Sequence, residues 1–309
     1  MIIHHSLYEY ANDKPSVLTI GTFDGVHLGH QKVLNRLKKD GLSSVVLTFF
    51  PHPRMVLFPK EDIKLIQTIT ERCEALAQSK VDHLIIHPFD IDLANLGAED
   101  FVKNILVDKL QIKKIIVGYD HRFGKNRSAN FDDLVNFGKK YHFEVEKIEA
   151  KEVDEQTISS TKIRRAIQNG DMQLAKDYLG FLFSISGEVT KGKSLGRTIG
   201  FPTANIVVKE AYKLLPKKGV YLVQSLINHQ NYFGMLNIGH NPTTDFSGFF
   251  IEVYFFDLDL DLYRQTLKIE FIDFLRDEQK FESIDALKSQ LQKDKKACLK
   301  KIKELSLSS

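Results

Sequence analysis

The first half of the chain alternates two hydrophobic rhythms. Short β-branched or apolar runs at Ser16 to Gly21, Ser43 to Phe50, His83 to Phe89 and Ile112 to Tyr119 predict strands, with a weaker run at His142 to Ile148. Between them, apolar residues recur at helical spacing over Gly29 to Lys39, Thr70 to Gln78, Ala98 to Leu110 and Phe131 to Tyr141. Strands alternating with helices predict an α/β domain with a parallel sheet covered on both faces. Ligands of such sheets sit at the carboxyl ends of the strands, where loops run into helix N-termini.

The rhythm changes near residue 180. Helical patterns at Ser159 to Asn169 and Asp171 to Leu179 give way to short strands at Leu182 to Val189, Asn205 to Val208, Gly219 to Ile227, Gln230 to Ile238, Phe249 to Asp257 and Thr266 to Phe274. Asn228-His229-Gln230 suits a hairpin turn. Close-spaced strands predict a small antiparallel barrel or sandwich. A helix from Ser283 closes the chain, with Ile284, Leu287, Leu291, Cys298, Ile302 and Leu305 on its apolar stripe. The basic run from Lys293 is expected on its solvated side. We expect two domains, residues 1–182 and 183–309, with the boundary between 180 and 184.

Composition narrows the class. The 309 residues carry 43 Lys and Arg against 40 Asp and Glu, a net charge of +3. That balance does not call for a nucleic-acid partner, so any anion site is local. No run approaches the roughly 18 apolar residues of a membrane span, and the N-terminus lacks the pattern of a signal peptide. Two cysteines far apart, Cys73 and Cys298, fit a reducing cytoplasm rather than a disulfide framework.

The stretch GEVTKGKS, Gly187 to Ser194, spells a Walker A phosphate loop. That loop needs a helix starting near its Lys. Here Gly196, Gly200 and Pro202 follow at once and argue against a stable helix. What remains is a pliable loop with Gly187, Gly192, Gly196 and Gly200, carrying Lys191, Lys193 and Arg197, whose amides and cations can wrap phosphates in another way.

Other polar motifs stand at predicted strand ends or helix starts. GTFDGVHLGHQ places His27 and His30 around Gly29 at the opening of the first helix, where a developing phosphoryl charge is welcome. PHPR (Pro51 to Arg54) and GYDHRFGKNRS (Gly118 to Ser128) follow two further strands. ISSTKIR opens a helix with Ser160 and Thr161 at its N-terminus and Arg164 one turn on. Four such motifs point to one crevice.

Taken in order, GTFDGVHLGHQ, FFPHP, GYDHRFGKNRS and ISSTKIR resemble the FAD synthetase branch of the Rossmann-like nucleotidyltransferases. GRTIGFPTANI, GVY, NIGHNPT and IEVYFFDLDLDLY resemble riboflavin kinase. Together the motifs span nearly the whole chain and are similar to the bacterial bifunctional riboflavin kinase/FAD synthetases. The resemblance implies a Rossmann-like nucleotidyltransferase domain followed by a β-barrel, using ATP, riboflavin and FMN as substrates with Mg²⁺. It implies Glu252 as the kinase base and Thr203 and Asn205 as metal ligands. In the first domain His27 and His30 act on the ATP phosphates. Nucleotide contacts would come from Gly21, Phe23, Asp24, Gly29, Ser160, Thr161 and Arg164. In the second they would come from Gly192, Lys193, Gly196, Arg197, Gly200, Pro202, Thr203 and Asn205. Flavin contacts would come from Asp120, Arg122, Asn237, Tyr263 and Arg276. The chain departs from the pattern at His121, Ala129 and Arg264, none of which carries a chemical role. Competing expectations are an adenylyltransferase for another phosphorylated acceptor and a flavin-binding protein without turnover. The first leaves the PTAN–Glu252 module unused.

Overall fold

The computed structural model describes residues 1–11, 14–39, 41–118, 121–148, 158–191, 195–240 and 249–307. Among the sequence-predicted site residues, Asp120, Gly192 and Lys193 lie outside them, as does the NPT end of NIGHNPT. The chain divides into two compact units, Met1–Ser160 and Thr161–Ser309. The boundary expected at 182 counts the helices Ser160–Asn169 and Met172–Leu179 with the first unit; this division places them with the second, where Met172–Leu179 packs on the strand Thr266–Arg276.

The first unit is a parallel sheet of six strands: β1 (Ile2–His4), β2 (Ser16–Ile20), β3 (Ser43–Phe49), β4 (His83–His87), β5 (Ile112–Gly118) and β6 (Glu144–Ile148), in the order β1-β4-β3-β2-β5-β6. Adjacent residues of one strand serve opposite faces, as the two-residue period requires. Val17, Val46, Leu84 and Ile116 join Val33, Leu34 and Leu37 of helix α1 (Leu28–Leu37) and Leu76 of α3 (Ile69–Gln78). Leu18, Val45, Ile85 and Ile115 pack the other face, with Phe101, Leu106 and Leu134. Those residues come from the segment in which α5 (Ala98–Asp100) widens into a π-helix, Phe101–Lys109, and from α6 (Phe131–Tyr141). From β2 the chain winds to β3 and β4 on one side, and β5 and β6 lie on the other. The strand order therefore reverses between β2 and β5, and their carboxyl ends frame the crevice where such sheets bind ligands.

Sequence pattern alone misses β1, α2 (Pro53–Leu57) and α4 (Ile91–Asn95). Each is five residues or fewer, too short for a period to register. The edge strand β1 is set by its pairing with β4, Ile3 opposite Leu84.

Helix α7 (Ser160–Asn169) begins at the last residue of the first unit and runs on in the second from Thr161, followed by α8 (Met172–Leu179). A closed antiparallel barrel follows, made of β7 (Ser184–Thr190), β8 (Ala204–Val207), β9 (Gly219–Ile227), β10 (Gln230–His240), β11 (Phe249–Phe255) and β12 (Thr266–Arg276), in the order β10-β11-β8-β7-β12-β9. Asn228 and His229, with φ of 49° and 65°, form the two-residue turn that pairs Ile227 with Gln230. The last helix, α10 (Ile284–Leu307), lays Leu287, Leu291, Cys298 and Ile302 against Val220, Leu222 and Met235 of the barrel wall. The outer positions of its apolar stripe, Ile284 and Leu305, are exposed.

Two expectations about GEVTKGKS change. Gly187 is not in a loop; it lies inside β7 opposite Leu267. After Ser194 the chain does wind one helical turn, α9 (Leu195–Thr198), which Gly200 ends in a left-handed conformation at φ 83°. A single turn tolerates a glycine that a long helix would not. The lengthy helix of a Walker loop is absent.

A Cβ at Gly187 would stand 2.6 Å from Ile206 Cγ2 and 2.8 Å from the Val207 carbonyl oxygen, so neighbouring β8 leaves no room for a side chain. Gly187→Ala is expected to destabilise the barrel by roughly 1–3 kcal/mol and to lower its thermal midpoint by several degrees. An unchanged midpoint in differential scanning fluorimetry would contradict the close packing of β7 on β8.

Candidate functional site

In the first unit the connection from β2 to α1 carries the site. Phe23, Gly25 and Val26 have φ of 48°, 95° and 40°. A β-branched residue at positive φ is strained, and such strain persists only where surroundings fix it. Asp24 supplies much of that fixing. Its buried carboxylate accepts hydrogen bonds from the backbone N–H of Ile66 at 3.1 Å and of Gln67 at 3.2 Å. Its carbonyl oxygen accepts the Ser160 hydroxyl at 2.9 Å. Asp24 thus ties together the loop, the segment before α3 and Ser160, the last residue of the first unit. Through its carboxylate it acts as a clamp on the chain.

His27 caps α1. Its Nδ1 accepts the His30 backbone N–H at 3.4 Å, a role usually taken by Ser, Thr, Asp or Asn. An accepting Nδ1 requires the proton on Nε2. The two imidazoles stack with ring centroids 3.6 Å apart, and Phe23 meets His30 edge-on at 5.1 Å. Burial lowers the His27 pKa to about 4, with Asp24 opposing the shift. His30 is held well below the usual imidazole range by burial first, then by His27 and the fully buried Arg72 of α3. The pair expected to meet a phosphoryl charge is therefore neutral at pH 7. It offers N–H donors, and the positive end of α1 supplies the electrostatic bias.

The other strand-end motifs take the expected places. His52 follows β3 and caps α2, its Nδ1 accepting from Arg54 N at 3.1 Å. Arg122 is exposed beyond β5. There Phe123 and Ala129 exchange backbone hydrogen bonds of 3.1 Å in both directions, and the Ala129 methyl is buried. The small residue at 129 is accommodated, and His121 stacks on Phe123 at 5.9 Å. Gly21 and Gly29 line the same β2–α1 connection. Thr161 and Arg164 follow Ser160 along α7.

In the second unit one register row organises the chemistry. Asn205 of β8 stands opposite Glu252 of β11, and Glu252 opposite Asn237 of β10. Directly opposed residues point to one face with Cβ atoms about 5 Å apart, so a carboxylate sits between two carboxamides. The row continues through Val220 of β9 to Arg276 of β12. This face looks onto a cavity of about 360 Å³ between barrel wall and α10. Glu252, Asn237, Thr203, Gly196 and Arg276 line it with Phe201, Val220, Met235, Phe281, Leu287 and Leu291. The Asn237 Oδ1 is buried there without a hydrogen-bond partner among the described residues. Gly196 is required at the cavity mouth, because a Cβ would stand 2.2 Å from the Phe201 carbonyl oxygen.

Not every expected residue gathers at the cavity. Arg197 and Pro202 are exposed on the α9 loop beside it. Tyr263 is 39% exposed and does not line the cavity; Lys191 and Arg264 stack over its ring, each at 5.3 Å. Arg276 does line it, yet spends part of its guanidinium on Asp294 of α10, with Nη2 to Oδ2 at 2.8 Å. Asp294 was invisible in a run read as solvated, although it occupies the buried phase between Leu291 and Cys298 and is only 5% exposed. An acid on an apolar stripe was the available signal. For Arg72 no such signal existed beyond its place in the α3 pattern.

A family model described as FAD synthetase matches residues 9–162, and one described as riboflavin kinase matches residues 179–302. A bifunctional riboflavin kinase/FMN adenylyltransferase of Listeria monocytogenes is 37% identical over 299 residues, covering 94% of each chain. One from Haemophilus influenzae is 40% identical over 282 residues, 90% of this chain and 91% of that one. A crystal structure of a Streptococcus pneumoniae protein named as a macrolide-efflux protein superposes with a TM-score of 0.86 at 32% identity, over 96% of this chain and 98% of that one. That name differs from those of the curated relatives; no helix among the described residues here is long and apolar enough to cross a membrane.

The His27 shift has a direction that can be measured. Above pH 6.5 the imidazole is neutral in folded and unfolded chains alike, so it adds no pH dependence. Between 6.5 and about 4 the unfolded chain takes up the proton and the folded chain does not, so stability falls as pH falls, by up to roughly 3 kcal/mol. Asn at 27 keeps a capping oxygen and does not titrate. The thermal midpoint of the natural chain is expected to lose ground to that of His27→Asn as pH drops from 7 to 4.5. A constant difference between the two across this window would refute the buried neutral imidazole.

Proposed function

The chain belongs to the family of bifunctional riboflavin kinase/FMN adenylyltransferases, and from that premise we propose how its side chains divide the chemistry. The enzyme phosphorylates riboflavin to FMN with ATP and adenylylates FMN to FAD, releasing pyrophosphate.

For the kinase step we assign the barrel row. The ribityl 5′-hydroxyl attacks the γ-phosphorus of ATP, the bond to the ADP oxygen breaks, and Glu252 takes the hydroxyl proton. Phosphoryl transfer asks mainly for alignment and charge stabilisation. Asn205 and Asn237 stand opposite Glu252 on either side. The α9 loop, with Gly196, Arg197, Gly200 and Pro202, takes the nucleotide, together with Gly192 and Lys193. Mg²⁺ fits the donor set. Thr203 and Asn205 offer neutral oxygens beside the Glu252 strand, and no cluster of three or more His, Cys, Asp or Glu competes among the described residues. Thr203 and Asn205 would hold the ion, which when bound neutralises charge on the ATP phosphates. Asn237, Arg276 and Tyr263 are assigned to riboflavin.

For the adenylyl step we assign the β2–α1 connection. An FMN phosphate oxygen attacks the α-phosphorus of ATP, and the bond to pyrophosphate breaks. The attacking phosphate is already anionic, so no strong base is needed. His27 and His30 donate N–H groups to the ATP phosphates, with Gly21, Phe23 and Gly29 shaping the approach. Asp24 holds the loop. Ser160, Thr161 and Arg164 are assigned to the phosphate tail, and Asp120 and Arg122 to the flavin. The free thiols Cys73 and Cys298 fit a cytoplasmic enzyme.

The observation that carries the kinase assignment is the Asn205–Glu252–Asn237 register row, of which Glu252 and Asn237 line the cavity. Glu252→Gln is expected to cut FMN formation by about 10²-fold or more while FAD formation from supplied FMN stays within twofold. His27→Ala with His30→Ala is expected to do the reverse. Flavins separated by chromatography over time report both. Equal loss of both steps in either variant would overturn the division of roles.

A further inference from the structure

Arg276 ends the register row and lines the cavity, but its orientation is set from α10. Its Nε donates to Oδ1 and Oδ2 of Asp294 at 3.0 and 3.1 Å, its Nη2 to Oδ2 at 2.8 Å, and its Nη1 to the Asp277 carbonyl oxygen at 3.0 Å. Asp294 also accepts Gln290 Nε2 at 2.8 Å. The carboxylate is thus satisfied by the chain itself, at 5% side-chain exposure against 16% for Arg276. It has no role left as a ligand contact.

A guanidinium has five N–H groups. The bonds above engage three, leaving one N–H on each Nη without a partner among the described residues. A side-on ion pair fixes the plane of the guanidinium as well as its position. The cavity around it is mostly apolar, with Val220, Met235, Phe281, Leu287 and Leu291. A flat, largely apolar ring with oxygens on one edge matches the lining around Arg276.

We propose that Asp294 is a positioning residue for riboflavin phosphorylation: it holds the Arg276 guanidinium so that its two remaining N–H groups meet the carbonyl edge of the flavin ring in the barrel cavity. The inference rests on the assignment of that cavity to riboflavin. It makes α10 part of the substrate site as well as a cover for the barrel wall. Asp294 acts through Arg276 and touches no reacting atom.

The test is steady-state FMN formation by the full chain, with riboflavin and ATP varied separately. Asp294→Asn keeps the shape and removes the charge. It is expected to raise the riboflavin KM about tenfold or more, with kcat and the ATP KM within about threefold. Arg276→Lys keeps a cation and loses the planar fork, so it should raise the riboflavin KM similarly. In the Arg276→Lys background, adding Asp294→Asn should change that KM less than twofold, because both act on one contact. An unchanged riboflavin KM in Asp294→Asn, equal rises in both KM values, or full additivity of the two substitutions would overturn the inference. Leu287→Trp, which narrows the cavity from half-buried α10, separates the premise from the inference. A raised riboflavin KM supports the cavity assignment. An unchanged one overturns that assignment and the inference with it.

Discussion

Each unit of this chain buries a carboxylate beside its site and satisfies it with its own donors. A buried, unpaired carboxylate costs several kcal/mol, and a paired one fixes whatever pairs with it. Asp24 takes two backbone amides and so determines where the β2–α1 loop stands relative to residues 66 and 67. Asp294 takes the Arg276 fork and Gln290 and so determines where α10 stands relative to the end of β12. Neither acid is left an open acceptor for a substrate. Their contribution is geometric: a loop with three left-handed residues and a cation on a cavity wall each keep one arrangement because moving them would strand a charge.

The same economy explains the histidines. A helix N-terminus attracts anions, and an imidazolium there would seem the better partner for phosphate. But His27 spends its Nδ1 lone pair on the His30 amide, and both rings are packed against each other and against Phe23. Protonating the His27 Nδ1 would break the cap, and protonating both rings would place two cations with centroids 3.6 Å apart. Neutral N–H donors are what this packing permits. As such they have no protonation equilibrium near pH 7.

The sequence displayed the strand–helix alternation, the barrel strands and the motifs at strand ends, because each rests on a local period or on residues a few positions apart. GTFDGVHLGHQ already placed His27 and His30 on one helix start. Glu252 and Asn205, by contrast, are 47 positions apart, and only barrel register sets them opposite each other. Asp24 belongs to a ligand motif, and that its carboxylate faces two amides is a tertiary fact. The α9 turn escaped because glycines that forbid a long helix still allow one turn. Asp294 was legible in principle, since Leu287, Leu291, Cys298 and Ile302 set a phase in which it falls on the buried side. The surrounding lysines hid it.

The two sites differ as their nucleophiles differ. A ribityl hydroxyl is a poor nucleophile until it loses a proton, so the first reaction needs a base within reach. In the proposed assignment that base is Glu252, which the barrel register sets between Asn205 and Asn237. The product of that reaction carries a phosphate that is anionic at pH 7 and attacks without help. A second base would be redundant, and an additional anion at the α-phosphorus would oppose the approach of two negative groups. Under the proposed assignment, N–H donors at a helix start, with the nearby acid turned onto backbone amides, suit this second reaction.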